Sequence, residues 1–354
     1  MRVETTMLSP ETRQYEGKGR GAMTIESIVE EARRVEELGF DGGTTPEAGH
    51  DPYVPLAIIA EHTQRITLGT NVAISFARSP MATAQVAWDL QQLSGGRFQL
   101  GLGSQVKGHI ERRYAAAWTG APGPRMREYV LCLQAMFESF QNPGKPTKFE
   151  GEHYRFTLLP PFFNPGPIEH SHVPIYLAAV NPYMARLSGE LCDGLRVHPI
   201  STFSHNREVL VPNVEKGAQK SGRALADIDI VGCPFLAVSR DEAGLEAAKD
   251  AVRQRISFYA STRTYHSVLD FHGWTDVGQQ LHRLSVEGKW MEMPKLVSDE
   301  MLEEFAIVAV GDDLGPRLKE RSRGIFTTVL LDGAPALMSD EAWLRRTIAV
   351  LQAD

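Results

Sequence analysis

Two residues on one short segment have side chains suited to acid–base chemistry. Glu47 and His50 stand three positions apart in the stretch Pro46-Glu47-Ala48-Gly49-His50. Burial beside an apolar ring would move the pKa of either group toward neutrality, where proton transfer is most efficient. The pair is therefore a candidate proton-transfer site. A helix cap at Glu47 and a packing role for His50 would explain the same residues.

Cationic and polar residues concentrate in a second segment, Gly101 to Arg113. It carries a local positive cluster within a chain whose formal net charge is −7. Such a cluster suits an anionic ligand through charge-assisted contacts, and a solvated helix face explains the pattern equally well. The polar residues are Ser104 and Gln105, and the cationic ones are Lys107, His109, Arg112 and Arg113.

These segments fall within a regular alternation of short β-like runs and amphipathic helical runs. That alternation is typical of βα units around a parallel sheet, and eight units in one chain favour a (β/α)8 TIM barrel over an open doubly wound sheet. We expect one domain over residues 1–354. The predicted strands are Val3–Leu8, Phe40–Thr45, Ile66–Val72, Arg97–Gly103, Pro174–Ala179, Gly194–His198, Ile228–Val238 and Ile325–Leu331.

In a (β/α)8 barrel the interior is packed, and reactions take place at the carboxyl ends of the strands. Polar residues that follow the predicted strands are therefore the candidates for the site. They are Glu47, His50 and Asp51 after strand two; Asn71 and Val72 at strand three; Ser104, Gln105, Lys107 and His109 after strand four; Ala179, Val180 and Asn181 after strand five; and His198 after strand six.

Two segments interrupt the alternation, one after strand four and one after strand seven. The first covers about residues 144–172, is rich in proline and aromatic residues, and contains a possible hairpin from Phe149 to Phe156. The second covers about residues 256–301. Long insertions in compact domains are usually lids or binding loops, so both are expected over the barrel mouth. The aromatic and histidine residues of the second are Phe258, Tyr259, Tyr265, Phe271, His272, Trp274 and Trp290.

The composition excludes several classes of protein. A net charge of −7 argues against nucleic-acid binding, which needs a basic surface. No apolar run reaches the roughly 18 to 20 residues that span a bilayer, and no signal peptide is visible, so no membrane association and a cytoplasmic location are expected. The three cysteines are scattered, and His266, His272 and His282 are loosely spaced, which predicts no metal site.

Several segments together resemble the luciferase-like flavin and deazaflavin family over nearly the whole chain. They are Arg65-Ile66-Thr67-Leu68-Gly69-Thr70-Asn71-Val72, Pro80, and Leu93-Ser94-Gly95-Gly96-Arg97-Phe98-Gln99-Leu100-Gly101-Leu102-Gly103-Ser104. Gly101 to Arg113 and Phe271-His272-Gly273-Trp274 further resemble an actinobacterial subgroup described as probable F420-dependent oxidoreductases.

The resemblance implies where a coenzyme would bind. Family members hold the tricyclic ring against a bulge at the end of strand three, often with a non-prolyl cis peptide; the matching bond is Asn71–Val72, and an ordinary trans strand end is the alternative. The resemblance also implies a phosphate loop after strand five. The family's glycines are missing from this loop, so Ser104, Gln105 or His198 become further phosphate partners, and a plain turn with Asn181 as helix cap is the alternative. The loop reads Ala178-Ala179-Val180-Asn181-Pro182.

Three further positions bear on the chemistry that the resemblance implies. Glu47 matches a position where relatives carry an acidic residue beside the ring. Val106 replaces a family glutamate after strand four, so that acid–base role is absent or supplied elsewhere. The cluster around Lys107 and His109 suits the oligoglutamate tail of the coenzyme.

Together these features predict a coenzyme F420-dependent oxidoreductase that transfers a hydride between the deazaflavin and a small organic substrate. One alternative is a reduced-FMN-dependent monooxygenase of the same fold, with FMN as the cofactor. Another is a non-catalytic flavin- or deazaflavin-binding protein. The aromatic insertions suggest an apolar or aromatic substrate, and a homodimer is expected because dimers are common among similar proteins.

Overall fold

A computed structural model describes residues 1–8, 23–145 and 148–353. Eight parallel strands close into a barrel, which confirms the predicted (β/α)8 TIM-barrel fold. Strand three pairs directly with strand four through Leu68 and Phe98, and strand eight pairs with strand one. The barrel strands are β1 (Arg2–Thr6), β2 (Gly42–Thr45), β3 (Thr67–Thr70), β5 (Phe98–Gly103), β8 (Ile175–Ala179), β9 (Gly194–Val197), β10 (Asp229–Gly232) and β13 (Thr328–Leu331).

Helices follow the strands as the apolar periodicity predicts. The helix after β1 begins at the N-cap Thr24, whose side chain accepts from the Ser27 N–H, and ends at Gly39 in the left-handed region. The helices are α1 (Ile25–Leu38), α2 (Val54–His62), α3 (Pro80–Leu93), α4 (Lys107–Arg112), α5 (Pro122–Gln141), α6 (Pro182–Leu191), α7 (Phe203–His205), α8 (Val211–Lys220), α9 (Glu242–Ala260), α10 (His266–Phe271), α11 (Thr275–Val286), α12 (Asp299–Phe305), α13 (Leu314–Ser322), α14 (Pro335–Met338) and α15 (Glu341–Gln352), with a π-helical turn at Asn206–Leu210.

Glycines line one side of the barrel interior and make room for large polar side chains from the other strands. A Cβ atom added to Gly42 would lie 3.1 Å from Glu4 Cγ, and one added to Gly101 would lie 3.2 Å from Arg196 Nε. Arg196 Nη1 donates to Glu4 Oε2 at 2.9 Å, and Nη2 donates to Gln99 Oε1 at 3.2 Å. Both charged side chains are 2% exposed. The barrel interior therefore contains a buried ion pair that the sequence patterns did not predict.

The predicted seventh strand, Ile228–Val238, is wrong as one continuous strand. It divides at Cys233 and Pro234 into β10, which belongs to the barrel, and β11 (Phe235–Ser239). The second of these leaves the barrel and pairs in parallel with β12 (Ala306–Val310), a strand that the sequence analysis missed. Proline has no N–H to donate to a strand ladder, which explains the break.

The first insertion contains the predicted hairpin, formed by β6 (Phe149–Glu150) and β7 (Arg155–Phe156) in antiparallel pairing. The second insertion is longer than predicted, because it begins with β11 and ends with β12. Its helices pack around a separate hydrophobic cluster that also takes in Ile200, with Val180 packed against it. Within the described ranges, no helix is both long and apolar enough to cross a membrane.

Candidate active site at the barrel mouth

The end of the third strand carries a bulge. After β3, a two-residue strand β4 (Ala73–Ile74) also pairs with β5. Gly69 is opposite Gln99 and Ala73 is opposite Leu102, so four steps along the third strand match three steps along β5. One extra residue at this point is a β-bulge, and it falls at Asn71 and Val72, whose peptide bond is cis. Both features agree with what the resemblance implies.

Small residues surround the side chain that projects from this bulge. A Cβ atom added to Gly103 would lie 2.6 Å from Val72 Cγ2 and 3.8 Å from Ala178 Cβ. The ends of the third, fourth and fifth barrel strands therefore meet around one valine methyl group. We call Val72, Gly103 and Ala178 the floor. The residues that β5 and β8 place beside Val72 are therefore a glycine and an alanine, the two smallest residue types.

Glu47 is held by a charged network that links the second and third strand ends. Its carboxylate accepts from the Ile74 N–H at 2.7 Å and from Arg78 Nη1 at 2.5 Å, and its side chain is only 5% exposed. Arg78 Nη2 donates to Asp51 Oδ2 at 2.8 Å, and Asp51 Oδ1 accepts from the Tyr53 N–H. We call Glu47, Arg78 and Asp51 the charged network. Glu47 is thus buried beside a guanidinium, and its catalytic role stays a prediction.

The other residues of this loop lie at the surface. His50 is exposed, which argues against the alternative of a packing role, and its catalytic role stays a prediction. Arg113 donates to the Ala48 carbonyl and thereby ties the strand-two loop to the strand-four loop. Burial, and after it the charge of Glu47, raises the pKa of the nearby Tyr114 hydroxyl.

In the loop after strand four, the side-chain oxygen of Gln105 already has a hydrogen-bond partner, and the cationic side chains lie at the surface. Gln105 adopts a positive φ of 57°, and its Oε1 accepts from the neighbouring Val106 N–H at 2.9 Å. Lys107 is exposed, 3.8 Å from Glu111, and His109 is also exposed. Ser104 is half-buried directly above β5. The cationic residues are therefore at the rim of the mouth, where they can meet a long anionic ligand.

The loop after strand five is a helix-capping turn. The Asn181 side chain accepts from the Met184 N–H at 3.0 Å and forms the N-cap of α6, as in the alternative interpretation of this residue. Ala179 is buried, and Val180 packs against the second insertion. The Asn181 side-chain oxygen is thus already engaged, which leaves backbone groups of this loop as the ones able to meet a phosphate.

His198 belongs to an aromatic cluster on the opposite side of the mouth. Its ring stacks on Tyr265 at 4.6 Å between centroids, and the Tyr259 ring meets it edge-on at 5.1 Å. The Ile200 N–H donates to His198 Nδ1 at 3.2 Å. Burial lowers the pKa of His198 to about 4. We call His198, Tyr259 and Tyr265 the aromatic cluster.

Only part of the aromatic insertion reaches the mouth, contrary to the expectation that all of it covers the site. His272 Nε2 is 2.7 Å from Thr202 Oγ1, and its ring stacks on Trp274 at 4.2 Å. Gly273 has a φ of +75°, which lets the chain reverse so that the two rings stack. Phe258 and Trp290 are exposed. The Phe-His-Gly-Trp motif therefore fastens the insertion to the N-cap of α7.

Two charged residues of the region were missed from the sequence. Arg78 directly precedes the Ser79-Pro80 helix start, and the pattern at this position indicates only that start. Arg196 is a cation at an inward position of a short buried strand, and that signal was available. A cleft of about 340 Å³ lined by Glu303, Glu304, Arg317 and Arg321 lies outside the barrel, away from the strand ends. Among the described residues no group of three or more His, Cys, Asp or Glu is placed to hold a metal ion.

The fold and the grouping of these residues define a (β/α)8-barrel enzyme with its site at the carboxyl ends of the strands. Residues 4–328 match the family model described as luciferase-like monooxygenase. The chain belongs to this luciferase-like family and is an enzyme of that type.

Relatives agree with this assignment, and a solved structure shares the fold. An uncharacterized protein of Mycobacterium tuberculosis is 43% identical over 296 residues, which are 84% of this chain and 86% of that protein. The 5,10-methylenetetrahydromethanopterin reductase of Archaeoglobus fulgidus is 31% identical over 85% of this chain and 87% of that protein. The coenzyme F420 dependent tetrahydromethanopterin reductase of Methanopyrus kandleri has a similar structure, with a TM-score of 0.75 at 21% identity, covering 99% of this chain and 97% of that one.

Proposed function

We propose that this protein is a coenzyme F420-dependent oxidoreductase that transfers a hydride between the deazaflavin and a small organic substrate. The observation that carries the proposal is the floor, where Val72 projects from the bulge and the nearest residues on β5 and β8 are Gly103 and Ala178. The 31% identity to a methylenetetrahydromethanopterin reductase supports the same reaction class. When bound, the deazaflavin supplies a carbon that gives or takes a hydride.

The residues present fit the three parts of this coenzyme. The ring would lie against Val72, with Asn71 at its edge. The phosphate would meet Ser104 and the backbone at Ala179 and Val180, where the N-terminus of α6 adds favourable dipoles for an anion. The oligoglutamate tail would pass Lys107 at the rim. The charged network at Glu47 would then lie at one end of the ring and hold that wall of the site.

The first test is a fluorescence titration of the purified protein with oxidised F420 and with FMN, each at low and high salt. We expect tighter binding of the deazaflavin, with an affinity that falls as salt rises because charged rim residues contact the tail. Preference for FMN together with oxygen consumption in the presence of reduced FMN would replace the proposal with a monooxygenase. Tight deazaflavin binding without turnover over a broad substrate panel would indicate a non-catalytic carrier.

We also propose that the protein is a homodimer that acts on a small molecule in the cytoplasm. Light scattering coupled to size-exclusion chromatography measures the mass directly, and a mass near 39.2 kDa, that of one chain, would contradict the dimer.

A further inference from the structure

We propose that His198 is a catalytic residue of this site, donating a hydrogen bond from Nε2 to the oxygen of a carbonyl substrate that is held over the coenzyme ring. The inference rests on the proposed function and names a substrate class for it: small ketones and aldehydes, or the matching alcohols in the reverse direction. Geometry, tautomer and surroundings each support it.

The strand geometry directs His198 toward the barrel axis. Side chains alternate between the two faces of a strand, and Arg196 on β9 points inward because it pairs with Glu4 inside the barrel. His198 follows two positions later, and its N–H continues the ladder by donating to the Ala179 carbonyl at 3.4 Å. The imidazole is therefore on the inner face, one layer above Arg196 and level with the strand ends that form the floor.

The hydrogen bond to Nδ1 fixes the tautomer. A nitrogen that accepts a hydrogen bond carries no proton, so the Ile200 N–H bond at 3.2 Å places the proton of the neutral ring on Nε2. None of the described residues hydrogen-bonds to Nε2. The ring plane is held by the stack on Tyr265 and the edge contact with Tyr259. The Nε2–H group of His198 is therefore an oriented donor that can bind a ligand.

The surroundings favour a neutral oxygen over a phosphate as the partner of this donor. Burial keeps the imidazole uncharged near pH 7, since it lowers the pKa to about 4. The titratable groups around it are Tyr259, Tyr265 and Cys233, and burial raises the pKa of Tyr265, so it too is uncharged. A phosphate gains little from uncharged aromatic neighbours, whereas a carbonyl oxygen that develops negative charge gains from a fixed donor in a low-dielectric site.

The reaction balances with the coenzyme as the two-electron donor. In the reductive direction the carbonyl carbon gains a hydride from the reduced deazaflavin, and the C=O π pair moves onto the oxygen beside His198 Nε2. The oxygen then takes up one proton. The reduced coenzyme would release one proton from its N1–H, so the number of protons balances. His198 keeps its own proton and stabilises the charge on the oxygen as that charge forms.

Two substitutions separate this role from a structural one. His198→Gln keeps a side-chain N–H donor near the position of Nε2, and His198→Phe keeps an aromatic ring for Tyr265 to stack on but removes the donor. The matched controls are His62→Gln and His62→Phe, because His62 ends α2 at the opposite, amino-terminal end of the strands. Thermal melting verifies that each variant is folded.

The readouts are the dissociation constant for oxidised F420 and the oxidation of reduced F420 by acetone, cyclohexanone, 2-cyclohexen-1-one and benzaldehyde. We expect His198→Phe to lower kcat by about 100-fold, as loss of one oxyanion donor does, while His198→Gln retains most of it and both bind F420 as the wild type does. Unchanged turnover in His198→Phe would overturn the inference. So would weakened F420 binding with unchanged kcat, which would indicate a phosphate ligand.

The outcome for the wild-type protein distinguishes the two proposals. If the protein binds F420 but reduces none of the carbonyl compounds, the proposed function still stands. The carbonyl substrate class and the role of His198 are then refuted. A protein that does not bind F420 refutes both proposals together.

Discussion

The two sides of the barrel mouth differ in how they are built. The side formed by strands two and three carries the charged network, in which Glu47 lies against a guanidinium. The side formed by strand six and the second insertion carries the aromatic cluster, where His198 is uncharged. A ring on the floor between them would meet fixed charge at one end and uncharged hydrogen-bond donors at the other. Under the proposed function, the charged side would bind and orient the ring, and the aromatic side would act on the substrate oxygen.

The largest effect should follow from breaking the charged network. Arg78→Met leaves the Glu47 carboxylate buried without its cation, and removal of one partner of a buried pair typically costs about 3 kcal/mol of unfolding free energy. Urea denaturation measures this cost. The control Arg155→Met removes an exposed side chain that is 3.8 Å from Glu150 and should change stability by less than about 0.5 kcal/mol. Equal stability of the two variants would show that the network is not a coupled unit.

The floor between the two sides is tested by Gly103→Val. A side chain here must displace Val72, which lies 2.6 Å from the position of a Cβ atom, and the surface for the ring is then lost. We expect F420 to bind about 100-fold more weakly, equivalent to about 2.7 kcal/mol, in the fluorescence titration. Gly144→Ala is the control, since nothing lies within 4 Å of its Cβ position. Wild-type affinity in Gly103→Val would place the ring elsewhere.

Acid should weaken the aromatic side. Burial lowers the pKa of both His198 and His205 to about 4, from an ordinary 6.5. Between these values the unfolded chain binds more protons than the folded one, so stability is full above pH 6.5 and falls as the pH drops toward 4. The slope should approach about 1 kcal/mol per pH unit for each histidine. Urea denaturation at pH 7, 6 and 5 should show a flatter profile for His198→Gln than for the wild type.

The smallest effect is expected at the rim. Lys107→Gln removes an exposed cation, and an exposed contact to a charged ligand contributes about 0.2–1 kcal/mol, so F420 binding should weaken by a few-fold at low salt and its salt dependence should decrease. FMN, which has no oligoglutamate tail, should bind equally to both proteins. Lys216→Gln on α8, away from the mouth, is the control. If the affinity for F420 depends on salt equally in the wild type, Lys107→Gln and Lys216→Gln, then Lys107 does not contact the coenzyme.

The sequence allowed the barrel to be predicted because βα alternation repeats eight times and several helices have clear start residues, such as Thr24 and Ser79. The sequence-based prediction was wrong at Cys233-Pro234, because the apolar run continues on both sides of the break that the proline causes. Hydrophobicity along the chain does not indicate which strand pairs with which, so the pairing of β11 with β12 was not predicted. The same limit explains the site. The bulge at Asn71–Val72 was predictable from resemblance, whereas the Arg78 partner of Glu47 and the stacking of His198 on Tyr265 depend on contacts between distant segments.

The second insertion is joined to the barrel in two ways. Its paired strands β11 and β12 bury Leu236, Val238, Ile307 and Ala309 in the main core. The helices between these strands pack around their own hydrophobic cluster and meet the barrel at Val180, Ile200 and the Thr202–His272 bond. Exchanging only the helical part between β11 and β12 would keep these core residues and would replace Tyr259 and Tyr265 beside His198. The residues beside His198 can therefore change through replacement of one helical segment, while the strand ends that form the floor stay the same.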